Sequence, residues 1–410
     1  MIALRVLVTA LGAALGVLYP FTSVILADFG FSPGEIGFIS SLGAVGFTFA
    51  VPAWGHLADV RLGRPRTLQV CATGGATAMI ALVVPVPPPV VVGLFVLFWV
   101  FMSSLQPLVD AITVNALRGR DYARVRLFTS LGFAVAAILA GQLYDRTGYQ
   151  AAFPLFALAA GVMVAAAALL PDVARADLDA HRRLAPGGAG SGSPAPSWRR
   201  SLGSSGVALQ VAPRLAAVLL AVGLLHVGTI AGFTFLSLRI EALGGSPAQI
   251  ALSSGLSAGI EIPAMFVMGG LAQRLGLRVI FTTGALLYAL CLASWTVLDT
   301  PLAIVATRAI TGLAYSGIVV GVVLTIATLL PAELQATGQS LLQTITFGFA
   351  AVVANVLGGL LYEGVGHVAV FGIGAILAVG AAVVGWLVFP AGPRGGPSPP
   401  IASRDERPAP

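Results

Sequence analysis

The sequence has no lysine, so all 22 of its basic residues are arginine. A phosphate-binding loop of the Walker A type requires a lysine, and so does catalysis through a Schiff base. Charged residues of every kind form only 9% of the chain, against about 25% in a soluble globular protein. A soluble domain of 410 residues could not cover its surface with so few charges. These absences exclude an ATP-driven motor within this chain and argue against a water-soluble protein.

Cysteine and histidine are also scarce. The two cysteines, Cys71 and Cys291, lie in predicted helices of different halves of the chain, so we interpret both as reduced packing residues. The four histidines show no spacing typical of metal ligands, and no nucleophile stands near a base in a catalytic pattern. The sequence therefore predicts no metal, no cofactor and no enzymatic activity.

Apolar residues dominate what is present: they form 57% of the chain, and the mean hydropathy is +0.95. A membrane-spanning helix needs about 20 mostly apolar residues. Twelve segments meet this description, near residues 4–26, 36–58, 67–86, 91–116, 127–144, 151–170, 214–238, 248–271, 279–298, 302–328, 335–361 and 367–389. Because these runs are continuous rather than alternating, they predict helices and not a β-barrel. We therefore predict an all-α integral membrane protein of twelve transmembrane helices.

The arginines are distributed unevenly between the predicted loops. If the N-terminus is cytoplasmic, 19 arginines fall on the cytoplasmic side, while Arg146 and Arg239 fall outside and Arg308 falls within a helix. This asymmetry follows the positive-inside rule and explains the net charge of +6 without a nucleic-acid partner. We expect both termini to be cytoplasmic and the chain to lie in the cell (inner) membrane, surrounded by lipid and working as a monomer.

A polar segment, 171–213, separates the first six predicted helices from the second six. It holds five arginines, three aspartates and a run rich in glycine, serine and proline, so it cannot bury enough apolar surface to fold. The end of the chain has a similar composition. We predict an N-terminal six-helix bundle over 1–170, a flexible cytoplasmic linker over 171–213, a C-terminal six-helix bundle over 214–390 and a disordered cytoplasmic tail over 391–410.

Two short motifs recur at equivalent places in the two halves. After the second predicted helix stands Gly55-His-Leu-Ala-Asp59-Val-Arg61-Leu-Gly63-Arg64-Pro-Arg66, and after the eighth stands Gly269-Gly-Leu-Ala-Gln273-Arg274-Leu-Gly276-Leu-Arg278. The fifth and eleventh helices end with Gly141-Gln-Leu-Tyr144-Asp145 and Gly359-Leu-Leu-Tyr362-Glu363. These pairs indicate duplication of a six-helix unit, an arrangement typical of membrane transporters.

The first motif resembles the loop between the second and third helices of the major facilitator superfamily, although Gln273 replaces the acid in its second copy. Within that superfamily, Gln106-Pro-Leu-Val-Asp110 and the run from Tyr122 to Phe133 are similar to the lactose and phenylpropionate permeases. The stretch Ala258-Gly-Ile-Glu261-Ile-Pro263-Ala-Met265 is more similar to bacterial sugar-efflux transporters. The resemblance implies two pseudo-symmetric six-helix bundles. It also implies a secondary active transporter that moves a small organic solute, such as a sugar, by alternating access.

Glu261 stands near the middle of the eighth predicted helix, where a charge costs about 2.5–3.5 kcal/mol. Pro263 leaves the carbonyl of Gly259 without its helical donor, which should loosen the helix locally, and Pro107 stands similarly close to Asp110. A carboxyl group in such a place can bind and release a proton as access alternates. We therefore predict proton coupling at Glu261 and Asp110. The alternative is a permanently protonated carboxyl that serves packing.

Asp110 and Arg126 lie on consecutive predicted helices, so they can form an ion pair. This pair is either an interfacial salt bridge of little energetic value or part of the substrate cavity. In the lactose permease, residues at the matching motif positions bind sugar, so the resemblance implies the second role. We add three further candidates for the substrate cavity, each with a structural alternative: Arg308 (pairing with Glu261 or snorkelling), His226 (proton carrier or packing) and Tyr19 (stacking on substrate or packing).

The repeated loops give a prediction about gating. Asp59 would lie near the start of the eleventh helix, around Pro331–Gly338, where helical N–H groups favour an anion. With Arg64 and Arg66 it would hold the two halves together on the cytoplasmic side, and this contact would break as the halves rock. The alternative is a basic loop that only sets the topology. The gating residues predicted in this way are Gly55, Asp59, Gly63, Arg64, Arg66, Arg274, Gly276 and Arg278.

Together these features predict transport of a small molecule such as a sugar, driven by protons. Several alternatives stay open at this stage: a proton-driven exporter of drugs or metabolites, and an importer of nucleosides or aromatic acids. A channel or a membrane sensor is a remote alternative, since the short loops and the polar linker supply no folded soluble domain.

Overall fold

The computed structural model describes residues 2–117, 122–170 and 198–391, which are helical and contain no β-strand. We number the main helices in chain order: α1 (Ile2–Asp28), α2 (Pro33–Leu57), α3 (Arg64–Ile80), α4 (Pro88–Val114), α5 (Tyr122–Thr147), α6 (Tyr149–Ala168), α7 (Arg214–Ala242), α8 (Pro247–Leu275), α9 (Leu277–Val297), α10 (Pro301–Leu329), α11 (Glu333–Gly364) and α12 (His367–Val388). Consecutive helices run in opposite directions. Odd-numbered helices begin on the side of the N-terminus, here called the N-side, and end on the far side.

Among the described residues, eleven helices are long and apolar enough to cross a membrane, in agreement with the all-α membrane fold. The helix α3 takes the remaining place but has only 17 residues. The sequence predicts this span over 67–86, whereas the helix ends at Ile80 and a following 3₁₀ turn ends at Val83. Pro85 is the reason, because a residue before proline avoids the helical conformation, and Val84 is extended, with φ −92° and ψ 146°.

Prolines act differently in α4 and α8. The helix α4 is broken at Ser103–Ser104, because Pro107 cannot donate a hydrogen bond to the Ser103 carbonyl. The loosening that the sequence predicts close to Asp110 is thereby confirmed. The helix α8 instead runs without interruption through Pro263, so the loosening predicted around Glu261 does not break the helix. Although Pro263 cannot donate to the Gly259 carbonyl, the helix continues on both sides of it.

The two six-helix halves repeat each other in backbone detail. Six glycines of the described chain have positive φ, and they form three pairs in equivalent loops: Gly30 with Gly244, Gly63 with Gly276, and Gly148 with Gly366. Helix packing repeats as well. The helices α1 and α3 pack on α6 as α7 and α9 pack on α12. The predicted pair of pseudo-symmetric six-helix bundles is confirmed.

The halves meet mainly along two helix pairs, α2 with α11 and α5 with α8, and the far-side end of α1 makes smaller contacts with α7 and α8. Their backbones come close near the far side: a Cβ on Gly359 would lie 2.7 Å from the Pro33 carbonyl oxygen. Near the N-side ends of α2 and α8, Gly55 and Gly269 instead face open space. The far side of the molecule is therefore closed between the halves.

Residues Trp198–Val211 form a helix, here called the linker helix, within the segment 171–213 for which the sequence predicts a flexible linker. It packs against the beginnings of α7 and α11, and Ala208 is fully buried there. This tertiary contact supplies the apolar burial that the segment lacks by itself. Residues 198–211 are therefore helical, and the prediction of a flexible linker is wrong for this part of the segment. Residues 171–197 and 392–410 lie outside the described residues, so the rest of the linker and the tail stays a prediction.

A first prediction concerns the crossing of α1 and α5, where a Cβ on Gly132 would collide with the Thr9 carbonyl. We expect Gly132→Val to lower the free energy of unfolding by about 1–3 kcal/mol, because the helices must separate. Thermal unfolding of the purified protein in detergent measures the loss. The control is Gly161→Val on α6, where a Cβ has no neighbour within 4 Å. Equal melting temperatures for the two variants would contradict the tight crossing.

Candidate functional site

Arg308 of α10 is the one charged residue of the described chain that is buried, with 9% of its surface exposed. Its Nη1 donates to the Thr311 hydroxyl at 2.8 Å, and its guanidinium lies 4.4 Å from the ring centroid of Phe233 on α7. The Nε atom is buried and has no hydrogen-bond partner among the described residues. The alternative of an arginine that snorkels to the headgroups is therefore wrong. The buried Nε is thus an unsatisfied donor.

Hydroxyl groups connect this arginine to α8. Thr311 Oγ1 lies 3.4 Å from Ser257 Oγ, and Ser316 donates to the backbone carbonyl of Glu261 at 3.1 Å. The two helices approach so closely because Gly312 has no side chain, since a Cβ there would collide with the Ser257 carbonyl. Small residues at helix crossings permit such interhelical hydrogen bonds within membranes. Arg308 and Glu261 are thus carried by one tightly packed helix pair.

Glu261 is the fifteenth of the 29 residues of α8, which places it midway along the helix. Tyr288 of α9 is buried, and its ring packs on Phe233 with the centroids 5.8 Å apart, beside the guanidinium of Arg308. Arg308 therefore lies with Tyr288 on the ring of Phe233, whereas Glu261 lies beside Ser316, two helical turns further along the contact between α8 and α10. We call Arg308, Thr311 and Tyr288 the arginine cluster.

His226 lies on α7, two helical turns before Phe233 and on the same helix face. Its ring is half-buried, and Nδ1 lies 2.9 Å from the Val222 carbonyl. A carbonyl only accepts hydrogen bonds, so Nδ1 carries the hydrogen and Nε2 is the acceptor of the neutral ring. This bond within its own helix satisfies one ring nitrogen and leaves the other for a partner.

In the N-terminal half, α1 is interrupted by a 3₁₀ turn at Tyr19–Phe21, which contains Pro20. The ring of Tyr19 is 60% exposed and meets Trp99 of α4 edge-on, with the centroids 6.0 Å apart. Gly43 of α2 lies directly against Trp99, 2.8 Å from Cδ1 when a Cβ is added, and so leaves room for the indole. An exposed phenol beside an indole can cover the apolar face of a ring-shaped ligand.

Asp110 is half-buried on α4, and both of its carboxylate oxygens accept from Nε2 of Gln106 at 3.0 Å. The amide therefore orients the carboxylate from one turn away. The side chain of Arg126 lies outside the part of the chain that the structure describes. The ion pair between Asp110 and Arg126 accordingly stays a prediction.

The predicted gating loops lie at the N-side ends of α2 and α8. Asp59, in a π-helical turn over Ala58–Leu62, forms an ion pair with Arg64 at 3.6 Å. Gly63 and Gly276 end the two loops with φ of +77° and +87°, a conformation that glycine adopts without strain. The side chains of Arg66 and Arg274 are exposed. The contact of Asp59 with the start of α11 stays a prediction.

Arg278, the last residue of the second loop, has a contact of a different kind. Its Nε donates to the Phe389 carbonyl at 3.1 Å, and its guanidinium lies 5.5 Å from the ring centroid of Trp386. Both partners belong to the N-side end of α12, in the same half as Arg278. This side chain therefore fastens α9 to α12, a structural contact that the gating hypothesis does not include.

A sequence profile of the MFS_1 like family matches residues 3–373. The chain belongs to this family. It is 28% identical over 356 residues to the maltose permease of Geobacillus stearothermophilus, a match that covers 85% of this chain and 84% of the permease. A shorter match, 31% identical over 117 residues, joins it to the uncharacterized transporter YwbF of Bacillus subtilis (strain 168) and covers 28% of this chain and 29% of YwbF.

Solved structures with the same fold are also transporters. The nucleoside transporter NupG superposes with a TM-score of 0.73 at 15% identity, over 94% of this chain and 97% of NupG. A variant of the peptide transporter POT in complex with alafosfalin gives a TM-score of 0.67 at 15% identity, over 94% and 92%. At such identities these likenesses show the fold alone. Family and fold together make this MFS_1 like protein a membrane transporter of the major facilitator superfamily and not an enzyme.

Sequence reasoning missed several residues of the site in this MFS transporter: Ser257, Phe233, Tyr288 and Thr311. The sequence contains a pattern that could have identified two of these residues. Ser257 precedes Glu261 by four residues on α8, and Thr311 follows Arg308 by three on α10, so both continue a polar stripe on an otherwise apolar helix. Phe233 and Tyr288 have no comparable signal, because an aromatic residue on an apolar helix is ordinarily a packing residue.

A second prediction tests the support of Arg308. Thr311→Val removes the hydroxyl that accepts from Arg308, so we expect the free energy of unfolding to fall by about 1–3 kcal/mol. The matched control is Thr325→Val on the same helix. Thr325 is also fully buried, but its hydroxyl donates to the Gly321 carbonyl of α10 itself. Melting temperatures of the two purified variants provide the comparison. If Thr311→Val unfolds no earlier than Thr325→Val, the hydroxyl does not support the guanidinium.

Proposed function

We propose that this transporter carries a sugar, or a chemically similar small organic solute, and couples its movement to protons through Glu261 and Asp110. The observation that carries the proposal is the arginine cluster, in which a buried guanidinium with an unsatisfied Nε lies near Tyr288, on the helix pair that also carries Glu261. Guanidinium, carboxyl and phenol groups together supply the donors and acceptors that a hydroxyl-rich ring requires. The likeness to a maltose permease over most of both chains favours a sugar.

In this proposal the substrate binds between the halves. Arg308 and His226 contact it from the C-terminal half, and Asp110 with Arg126 contacts it from the N-terminal half. Tyr19, with its exposed ring beside Trp99, stacks on the apolar face of the sugar ring. The polar groups then satisfy the hydroxyls at the rim of the ring. The substrate therefore contacts both halves at once, so its affinity depends on how the two halves are positioned relative to each other.

We infer that the two halves rock about this cavity to expose it to each side in turn. The close contacts between the halves on the far side fit a state that is closed there and open toward the N-side. The arginine distribution supports a cytoplasmic N-side, as the positive-inside rule predicts. In this proposal the chain works as a monomer in the inner membrane. The gating loops would close the N-side in the opposite state.

Protons supply the energy in this scheme. A proton that moves down a potential of 100 mV releases about 2.3 kcal/mol, and one pH unit adds about 1.4 kcal/mol. The sum, about 3.7 kcal/mol, sustains a solute gradient of several hundredfold. Glu261 is suited to bind the proton, because it lies midway along α8, where it can face each side in turn as access alternates. The same chemistry serves symport and antiport.

A third prediction tests the coupling residue. We expect Glu261→Gln to abolish uphill transport of solute in proteoliposomes with a pH gradient, because the amide cannot release a proton. Counterflow should persist, since exchange of bound solute needs no net proton movement. Asp299→Asn, at an exposed acid in the loop between α9 and α10, is the control and should transport as the wild type does. Normal uphill transport by Glu261→Gln would remove the proposed role of Glu261.

A fourth prediction concerns the substrate class. We expect maltose and related sugars to raise the melting temperature of the purified transporter, since a ligand at 100 times its Kd stabilises a protein by about 2.7 kcal/mol. Nucleosides, dipeptides and aromatic acids should have a smaller effect. Tyr19→Leu should weaken sugar binding about tenfold or more while it leaves the melting temperature without ligand unchanged, because Tyr19 is largely exposed. Stabilisation by nucleosides or aromatic acids alone would overturn the sugar assignment.

A further inference from the structure

Two helices begin at the far side with the same pattern, and each leaves a single backbone N–H unsatisfied within its own half. In α2, the Ser32 N–H donates to Glu35 at 2.8 Å and the Glu35 N–H donates to the Ser32 hydroxyl at 3.3 Å. Pro33 has no N–H. The N–H of Gly34 is the one donor of this first turn that this capping box does not use.

The helix α8 repeats this arrangement. The Ser246 N–H donates to the side chain of Gln249 at 3.0 Å, and the Gln249 N–H donates to the Ser246 carbonyl at 2.9 Å. Pro247 again lacks an N–H. The remaining donor is the N–H of Ala248, at the position that corresponds to Gly34.

In both helices a carboxylate of the opposite half accepts from this remaining donor. Glu363, at the end of α11, accepts from the Gly34 N–H at 2.8 Å and from the Ser32 hydroxyl at 2.9 Å. Asp145, at the end of α5, accepts from the Ala248 N–H at 3.3 Å. Negative charge at a helix N-terminus is stabilising because of the helix dipole and the free N–H groups.

The acids belong to the repeated motif at the ends of α5 and α11, to which the transport scheme gives no role. In each copy the acid follows a glycine by one helical turn. Gly141 and Gly359 touch the opposing helices so closely that an added Cβ would lie 2.8 Å from the Pro247 carbonyl oxygen and 2.7 Å from the Pro33 carbonyl oxygen. The glycine thus allows the opposing helix to approach closely, and the acid one turn later caps the N-terminus of that opposing helix.

We propose that Glu363 and Asp145 are two pseudo-symmetric latches that hold the far side closed and set the balance between the two open states of the transporter. This inference rests on the alternating access of the proposed function. The contacts exist only while the halves touch at the far side, so they stabilise that state alone and are lost when the far side opens. Glu363 makes two short bonds and Asp145 one longer bond, so the latch between α2 and α11 is the stronger.

Other contacts also cross the far side. Ser23 donates to the Thr234 carbonyl at 2.6 Å, and Tyr149 donates to Glu241 at 3.2 Å. Loss of one latch therefore shifts the equilibrium and does not abolish closure. Because a helix cap contributes on the order of a tenfold change in an equilibrium constant, we expect a shift of that size for Glu363.

A fifth prediction uses the distance between far-side loops of the two halves. Val84→Cys and Asp299→Cys place spin labels in exposed loops, while the native Cys71 and Cys291 are buried and should not react. In the substrate-free protein, Glu363→Ala should increase the ratio of long to short distances about tenfold. Asp145→Ala should give a smaller increase, and Glu363→Gln, which keeps an acceptor but loses the charge, should lie between Glu363→Ala and the wild type.

Glu35→Gln is the matched control, because it neutralises another far-side acid whose capping contact stays within α2. It should leave the distance distribution unchanged. If Glu363→Ala and Glu363→Gln both match Glu35→Gln, the latch is wrong, even where transport is normal. If instead the latch variants shift the distances but Glu261→Gln still transports uphill, the latch stands and the proton coupling fails. If the wild type and all variants show one fixed distance between the spin labels under all conditions, the halves do not alternate, and both the latch and the alternating-access mechanism are wrong.

Discussion

Hydrocarbon offers no hydrogen-bond partner to a peptide group, and the structure of this transporter depends on that constraint. Helices pair most of the backbone groups of a span within the span itself, which is why the described membrane region is almost entirely helical. Interruptions occur at Tyr19–Phe21 and at Ser103–Ser104, where prolines remove donors. Helix ends face the same problem, and at the far side α2 and α8 solve it with carboxylates from the opposite half. The constraint that makes the helices thus also joins the halves.

Buried charge follows from the same low dielectric. Arg308 is enclosed by an aromatic ring and a hydroxyl, and this hydroxyl is held in turn by Ser257 of the neighbouring helix. Such an arrangement requires α8 and α10 to touch, which Gly312 permits. Glu261 is carried by the same helix pair, next to Ser316 of α10. In the proposed function this shared helix pair links proton movement to the binding of solute.

The two halves share a backbone plan but differ in their chemistry. The glycine turns, the capping serines at α2 and α8 and the terminal acids of α5 and α11 all recur. Interior side chains do not: the N-terminal half presents Tyr19, Trp99 and Asp110, and the C-terminal half presents the arginine cluster. The recurring features therefore lie in the loops and at the helix ends where the halves meet. The side chains that we assign to substrate and protons do not recur.

The sequence by itself determined the membrane class, the pair of six-helix units and the superfamily, because hydropathy, composition and repeated motifs are local properties of the chain. It also selected Glu261, Arg308 and Asp110, since charge within an apolar run is visible without coordinates. Tertiary structure alone decided that Arg308 is buried against Phe233, that Trp198–Val211 is helical, and that the repeated acids cap helices of the opposite half. Each of these depends on a contact between segments far apart in the chain. Such contacts are set by where glycines let helices cross, and a linear pattern does not encode that geometry.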